Sequence, residues 1–180
     1  MNFITKYYIS DMHLMHDRIL EMQPRAFSSI DDHDEHIIKC WNNVVKKDED
    51  RVYVLGDFAM KLSDKSEKLR YYFSRLKGRK HLIVGNHDLD EHGNIHPTLL
   101  SLDWAERPEW MKITKDGGHK LTLCHYGIRE WQGKHSGAYH FYGHAHGRLP
   151  ALDRSRDVGC DMPDVNFTPK TFSQLTKKMK

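Results

Sequence analysis

The chain of 180 residues predicts an α/β fold, and three features of the sequence indicate it. Short, β-rich apolar runs alternate with helical patterns in the first half, which is typical of parallel βαβ units. A hairpin signal in the second half predicts that antiparallel strands join them. The apolar runs end in clusters of polar residues, which an open α/β sheet collects at the carboxyl edge of its strands. The length suits one domain over residues 1–180.

The predicted strands are continuous apolar runs, a pattern that indicates strands buried on both faces. They cover residues 6–10, 51–55, 81–84, 120–124, 138–142 and 157–161. One helix is predicted behind the acidic start at Asp31, where apolar residues recur at helical spacing to Val45. A second covers 69–76 and stops at Gly78. The hairpin turns at Asp116, between strands at 112–115 and 120–124.

Composition narrows the class of protein. Hydrophobic content of 38% and charged content of 29% are ordinary globular values, and no apolar run approaches the ~18 residues that a membrane span needs. Three widely spaced cysteines indicate a reducing compartment, so we expect a cytoplasmic protein without membrane contact. The formal charge of +3 is not gathered into one block, which leaves a nucleic-acid partner open but unsupported. The 14 histidines stand out, because imidazole is the commonest ligand of transition metals.

Five strand ends carry polar motifs that could hold metal ions. They are Asp11-Met12-His13, Gly56-Asp57, Gly85-Asn86-His87-Asp88, His125 and Gly143-His144-Ala145-His146. Each motif alone is common, since Asp-x-His is usually a loop and Gly-Asp usually a turn. Their occurrence in this order, each after a strand, is hard to produce by accident. A donor set of nitrogen and oxygen without thiolate suits Mn, Fe, Zn, Ni or Co.

In their order these motifs resemble those of the calcineurin-like metallophosphoesterase superfamily, over about residues 8–161. The segment Pro24-Arg25-Ala26-Phe27 is similar to that of its small single-domain branch. The resemblance implies a four-layer sandwich, in which two packed mixed β-sheets are flanked by helices. It implies two divalent metal ions, with Mn the first choice in vitro, and the ligands Asp11, His13, Asp57, Asn86, His125, His144 and His146, of which Asp57 bridges. It also implies that a bridging hydroxide attacks phosphorus while His87 protonates the departing oxygen.

A charge count favours a diester as the substrate. Two divalent cations and the carboxylates of Asp11 and Asp57 leave a charge of +2, and a hydroxide reduces it to +1, which a phosphodiester monoanion neutralises. We therefore expect a small phosphodiester of the nucleotide type. Cations that could offset further substrate charge are Arg25, Lys61 and Arg129, although a solvated surface role also fits each.

Differences between these motifs and those of the family narrow the class of substrate further. The extension Gly-Asp-x-x-Asp-Arg-Gly of protein phosphatases is absent from residues 56–62, which argues against a phosphoserine or phosphothreonine phosphatase. It also removes one possible partner for His87, and Asp88 is a candidate replacement.

Two other functions stay open, a nuclease acting on polynucleotides and a metal-stabilised interaction module without catalysis. The oligomeric state also stays open. His16 lies one helical turn beyond His13 and could face the mouth of the site. We expect the other histidines on exposed faces or loops: His33, His36, His81, His92, His96, His119, His135 and His140.

Overall fold

Two four-stranded mixed sheets form the frame of the protein, which a computed structural model describes over residues 4–150 and 152–179. The strands are β1 (Lys6–Ile9), β2 (Arg51–Leu55), β3 (Arg79–Ile83), β4 (Met111–Asp116), β5 (His119–Cys124), β6 (Tyr139–Tyr142), β7 (Ser155–Asp157) and β8 (Lys170–Thr171). The helices are α1 (Ile19–Met22), α2 (Ile30–Val44), α3 (Ser66–Arg75), α4 (Pro97–Leu100) and α5 (Phe172–Thr176). This architecture confirms the predicted fold class.

The first sheet has the order β3-β2-β1-β8, with β1, β2 and β3 parallel as predicted. Helix α2 begins where the side chain of Ser29 accepts a hydrogen bond from the Asp32 N–H, and two acidic residues in its first turn complement the helix dipole. The hydroxyl of Tyr7 on β1 donates to the carbonyl of Val44 at the end of α2. This bond ties α2 to the face of the sheet that Tyr7 occupies.

The interior between the sheets is built from aromatic rings. Tyr8, Tyr53 and His81 are cross-strand neighbours in the first sheet, and their rings stack at centroid distances of 5.6 and 4.6 Å. The Tyr8 ring meets that of Phe141 in the second sheet edge-on at 5.2 Å. Such ring pairs add about 0.5–1.5 kcal/mol beyond their buried area, so they fix how the two sheets face each other.

The second sheet has the order β4-β5-β6-β7, in which β4 and β5 form the predicted antiparallel hairpin and β5, β6 and β7 are parallel. The strand predicted at 157–161 is wrong, since β7 ends at Asp157. The carboxylate of Asp157 accepts the backbone N–H groups of Gly147 and Gly159, and the chain turns there. On the outer face of this sheet, Trp131 donates to the carbonyl of Ala138 and packs against His140.

Three of the predicted exposed histidines are buried: His33, His81 and His140. His33 lies beside Asp34, with 2.8 Å between Nδ1 and Oδ1, and His140 contacts the carbonyl of Thr122 through Nδ1 at 3.1 Å. Each of the two has a local polar partner, which offsets the cost of burying an imidazole. His81 is instead covered by the Tyr53 ring.

The motif-bearing loops lie side by side at the carboxyl ends of the strands. The Asp11 N–H donates to the carbonyl of Gly56 at 3.1 Å, and the His13 N–H to that of Asp57 at 2.9 Å. From the second sheet, the Gly143 N–H donates to the carbonyl of His125 at 2.9 Å. These bonds bring loops from distant parts of the chain to one edge. Across the described ranges, none of the helices has the length and apolar character of a membrane span.

Candidate metal centre

The backbone at this edge takes an unusual conformation. Five of the seven predicted ligands have a left-handed backbone with positive φ: Asp11 (55°), His13 (51°), Asp57 (53°), His144 (64°) and His146 (47°). Residues other than glycine rarely adopt this region, and such strain collects at functional sites. Glycine allows the loops to approach closely, because a Cβ at Gly85 would lie 2.5 Å from the Asp57 nitrogen.

The structure brings all seven predicted ligands to this edge, in two groups. One group is Asp11 with His13 and His146, and the other is Asp57 with His125 and His144. Within each group, one potential ligand atom of every residue lies within 4.8 Å of those of the other two. The side-chain oxygen of Asn86 lies 3.1 Å from His125 Nε2 and so belongs to the second group.

Asp57 lies between the two groups. Its Oδ2 is 3.6 Å from His13 Nε2 and 3.4 Å from His125 Nε2, while its Oδ1 accepts the His87 backbone N–H at 2.9 Å. Burial would raise the pKa of Asp57, but the hydrogen bond and charge of His125, followed by the charge of His13, outweigh it and lower the pKa to about 2. The carboxylate is therefore ionised and available to both groups.

The ring nitrogens suit a cation. Nδ1 of His125 lies 2.7 Å from the carbonyl of Leu55, which only accepts, so Nδ1 carries the hydrogen and Nε2 faces Asp57 and Asn86. Burial lowers the pKa of His125, yet Asp57 raises it to about 9, so a proton occupies the position between these atoms that a cation would take.

His13 provides an independent test of whether the residues fit a metal. Burial lowers its pKa to about 2, so the ring is neutral. Its buried Nε2 has no hydrogen-bond partner among the residues that the structure describes, and it faces the ionised Asp57. The 3.6 Å between Nε2 and Asp57 Oδ2 is too long for a hydrogen bond, whereas a cation between these two atoms would be coordinated by both. The donors present therefore fit a divalent metal.

A buried network orients the first group. Arg25 is 3% exposed and binds Asp161 through two nitrogens at 2.8 Å each, and Asp161 Oδ2 lies 2.6 Å from His146 Nδ1. Arg25 also donates to the carbonyls of Asp11 and Met12 at 2.7 and 3.1 Å. The predicted substrate-facing role of Arg25 is wrong, because its guanidinium braces the Asp11 loop. Asp161, which was not among the predicted site residues, fixes the His146 ring with Nε2 toward Asp11.

Asp88 is a second buried brace. Its oxygens accept the backbone N–H groups of Gly85, Asp57 and Phe58 at 2.8, 3.0 and 3.0 Å. Burial and the charge of Asp57 raise its pKa to about 7. The prediction that Asp88 orients the His87 imidazole is therefore wrong, since both carboxylate oxygens join the Asp57 loop to the loop that carries Asn86.

A pocket of about 340 Å³ opens over the two groups. His87 and His16 line its mouth, with their ring centroids 5.8 Å apart, so His16 faces the site. A nitrogen of His87 also falls within 4.8 Å of potential ligand atoms of His13 and Asp57. Arg148 lines the same pocket and donates through Nε to the carbonyl of Ala145 at 3.2 Å. Arg148 was not among the predicted site residues, although it follows the Gly-His-x-His motif by two residues.

The other cations considered lie elsewhere. Lys61 forms an ion pair with Asp17 at the surface, and Arg129 lines a separate cavity. Arg148 is thus the cation that shares the pocket with the predicted ligands, within the described part of the chain.

Two mixed sheets with paired His and Asp groups at the strand ends define the class of metal-dependent phosphoesterases. Residues 6–164 match the sequence profile of the calcineurin-like phosphoesterases, and the chain belongs to this family. An uncharacterized protein of Methanocaldococcus jannaschii is 27% identical over 176 residues, which cover 95% of this chain and 89% of that protein. The Gene 66 protein of Mycobacterium phage L5 is 37% identical over 82 residues, or 46% of this chain and 39% of that protein.

Solved structures share the fold. A protein of unknown function from Aquifex aeolicus superposes with a TM-score of 0.72 at 23% identity, covering 97% of this chain and 99% of the other. An archaeal phosphodiesterase superposes with a TM-score of 0.50 at 18% identity, covering 87% of this chain and 82% of the other. At these identities the likeness shows the fold alone.

Proposed function

We propose that the chain is a dinuclear metal-dependent phosphodiesterase that hydrolyses small diesters of the nucleotide type. The observation that carries this proposal is the position of Asp57 Oδ2, which faces His13 of one ligand group and His125 of the other at 3.6 and 3.4 Å. A carboxylate in this position could serve two cations, and His87 and Arg148 line the pocket beside it.

The metal ligands divide between two cations. One would be held by Asp11, His13, Asp57 and His146, and the other by Asp57, Asn86, His125 and His144. Two divalent ions, when bound, supply a water of lowered pKa as the nucleophile and neutralise charge on the phosphoryl oxygens. The nitrogen and oxygen donors suit Mn, Fe, Zn, Ni or Co, and Mn is the choice for reconstitution in vitro.

The remaining residues act on the substrate or hold the ligands in place. His87 lines the mouth and donates a proton to the departing oxygen, a contribution of about 10²- to 10⁴-fold for a general acid. Arg148 binds a phosphate oxygen. Its Nε donates to the carbonyl of Ala145, which leaves its two terminal nitrogens as donors for the substrate. Asp161 and Asp88 position the ligands from behind.

The charges around the site support a diester. The charge of Arg25 is neutralised by Asp161, and that of Lys61 by Asp17. Neither residue therefore adds positive charge beside the predicted metal ligands. Arg148 is exposed, and water and salt screen its charge. Two divalent ions, two carboxylates and a hydroxide would together carry a charge of +1. A phosphodiester monoanion neutralises this charge.

The test compares an activated diester with the corresponding monoester. After removal of metal and reconstitution with Mn, bis(p-nitrophenyl) phosphate should be hydrolysed with a higher kcat/KM than p-nitrophenyl phosphate. A preference for the monoester would contradict the proposal and assign Arg148 to a dianion pocket. Single-stranded DNA belongs in the same panel, where efficient cleavage with strong salt dependence would favour a nuclease. Failure of the metal-loaded protein to hydrolyse any ester would favour an interaction module.

A further inference from the structure

A second cavity, of about 290 Å³, lies on the outer face of the second sheet. Its walls are mostly apolar and come from Gly127, Ile128, Tyr142, Leu149, Pro150 and Leu152. Arg129 and Ser155 add two polar groups. Small-molecule sites have this character, an apolar lining with a few polar groups, and at about 290 Å³ this cavity lies at the lower end of their usual range of about 300–1,000 Å³.

The cavity adjoins the metal centre through Tyr126. The Tyr126 ring lies 4.8 Å from the ring of His144 and 5.0 Å from that of His125, measured between centroids, and is 40% exposed. The next residue, Gly127, lines the cavity. On the opposite wall Leu149, which is 48% exposed, directly follows Arg148 of the metal pocket. One loop therefore presents a cation to one pocket and an apolar side chain to the other.

Gly127 keeps this cavity open. A Cβ at this position would lie 2.7 Å from Leu149 Cδ1 and 3.2 Å from the Tyr142 ring. Any side chain there would displace Leu149 or crowd the Tyr142 ring, so the shape of this wall depends on the glycine.

The two sides of the metal centre differ in what they offer a diester. His87 and His16 stand together on one side, and helix α1 with Met22 continues that wall. Tyr126 packs instead against His144 and His125 of the second ligand group, whereas His87 packs against His13 of the first, and Tyr126 leads directly into Gly127 of the cavity. In an in-line displacement one substituent departs with the proton from His87, and the other stays on phosphorus and projects away from that line. The cavity is thus placed for the substituent that stays.

We infer, on the basis of the proposed function, that this cavity binds the retained substituent of the diester and that this substituent carries a nucleobase-like ring. The apolar walls suit the faces of a flat ring, and the guanidinium of Arg129 and the hydroxyl of Ser155 suit its polar edge. A plain alkyl group would contact the apolar walls but gain nothing from Arg129 and Ser155. The product released is then a ring-bearing phosphomonoester.

Binding of product-type ligands tests the cavity without turnover. Calorimetry on the Mn-reconstituted protein would compare thymidine 5′-monophosphate with methyl phosphate, which share the phosphate and differ in the ring. The thymidine compound should bind roughly tenfold tighter or more. Leu149→Ser should lower this affinity ratio roughly fivefold, because Leu149 contributes about half a buried side chain. Gly127→Ala should lower it as well.

The matched control is Leu100→Ser, at a leucine that is 41% exposed and lines neither pocket. This variant should keep the wild-type ratio. Equal affinity of the wild type for both ligands, or a ratio unchanged by Leu149→Ser and Gly127→Ala, would overturn the inference. Diester hydrolysis without any preference for the ring would overturn the cavity and leave the proposed function intact. A thymidine preference in a protein that hydrolyses no diester would overturn the proposed function and support the cavity.

Discussion

Replacing Asp161 with Asn removes the charge that joins Arg25 to His146. The Asp161 side chain is 6% exposed, and its carboxylate binds the Arg25 guanidinium by two contacts of 2.8 Å and His146 Nδ1 by one of 2.6 Å. Asn keeps one acceptor oxygen but presents an amide N–H₂ to a guanidinium or to an imidazole N–H. One donor is then left facing another inside the protein.

This change should lower both the unfolding free energy and the metal affinity. Breaking a buried ion pair costs about 3–5 kcal/mol of unfolding free energy, because the remaining charge is buried without compensation. Loss of the residue that orients a ligating histidine typically lowers metal affinity by about 10- to 100-fold. Burial would raise the pKa of Asp161, but Arg25 and His146 hold it well below its usual range. The ionised form is therefore stabilised by folding above pH ~4, and that contribution is lost as the pH falls further.

Asp164 provides the matched control. It also binds an arginine by two contacts, at 3.1 and 2.9 Å to Arg156, but its side chain is 48% exposed. Asp164→Asn should cost about 0–1 kcal/mol and leave metal binding unchanged. Urea unfolding at pH 7 and Mn titration of both variants make the comparison. Equal loss of stability in the two variants, with metal affinity intact in Asp161→Asn, would refute the argument that Asp161 positions His146.

Three further predictions follow from other residues. His87→Ala should keep metal content near wild type and slow hydrolysis of an alkyl ester by about 10²- to 10⁴-fold, with a far smaller effect on a nitrophenyl ester, whose leaving group needs no proton; loss of metal would show that His87 is a ligand. Asp88→Asn should cost about 1–3 kcal/mol in urea unfolding, because buried N–H groups lose an acceptor. The control is Asp90→Asn, at a less buried carboxylate that accepts the His92 and Asn94 N–H groups, and it should lower the unfolding free energy by less. Equal losses in the two variants would count against the bracing role of Asp88. Burial lowers the pKa of His81 to about 4. Between pH ~6.5 and 4 the unfolded chain therefore binds a proton that the folded chain does not, and the free energy of unfolding falls as the pH is lowered through that window. His81→Phe should remove about 2 kcal/mol of the difference in unfolding free energy between pH 7.5 and pH 5, and an unchanged difference would contradict this explanation.

The strand ends could be predicted because their signal is local. Five apolar runs lead into motifs of one to four residues, and parallel strands place their carboxyl ends at one edge whatever the loops do. The seven ligands themselves came from the resemblance of these motifs to the calcineurin-like family. The helices α2 and α3 were equally accessible, since their apolar spacing and acidic starts lie within one segment each.

The residues that brace the ligands could not be predicted in the same way. Arg25 and Asp161 are 136 positions apart, and neither has a local pattern that points to the other. A buried arginine is rare, so a surface or substrate-facing role was the natural expectation for Arg25. His81 was misplaced because an imidazole between Lys80 and Leu82 has the polarity of an exposed residue, whereas the Tyr53 ring covers it. Strand β8 covers two polar residues, too few to show alternation.

The left-handed backbone of the ligands also lies beyond sequence reasoning. Positive φ at Asp11, Asp57 and His144 is imposed by hydrogen bonds between loops, such as the His144 N–H that donates to both oxygens of Asp11 at 3.0 Å. Local propensity gives no indication of such strain, because aspartate and histidine adopt this conformation only when the surroundings hold them.

The number of metal ions bound per chain decides whether Asp57 bridges a dinuclear centre. Protein stripped with a chelator and dialysed against Mn should bind two ions per chain by elemental analysis, and its hydrolysis of bis(p-nitrophenyl) phosphate should return with them. Asp57→Asn should lower the occupancy of both ions, because Asp57 faces both groups, whereas His13→Ala should mainly lower one. One ion or none in the wild type, equal losses from the two variants, or undiminished hydrolysis by the stripped protein would contradict a centre bridged by Asp57.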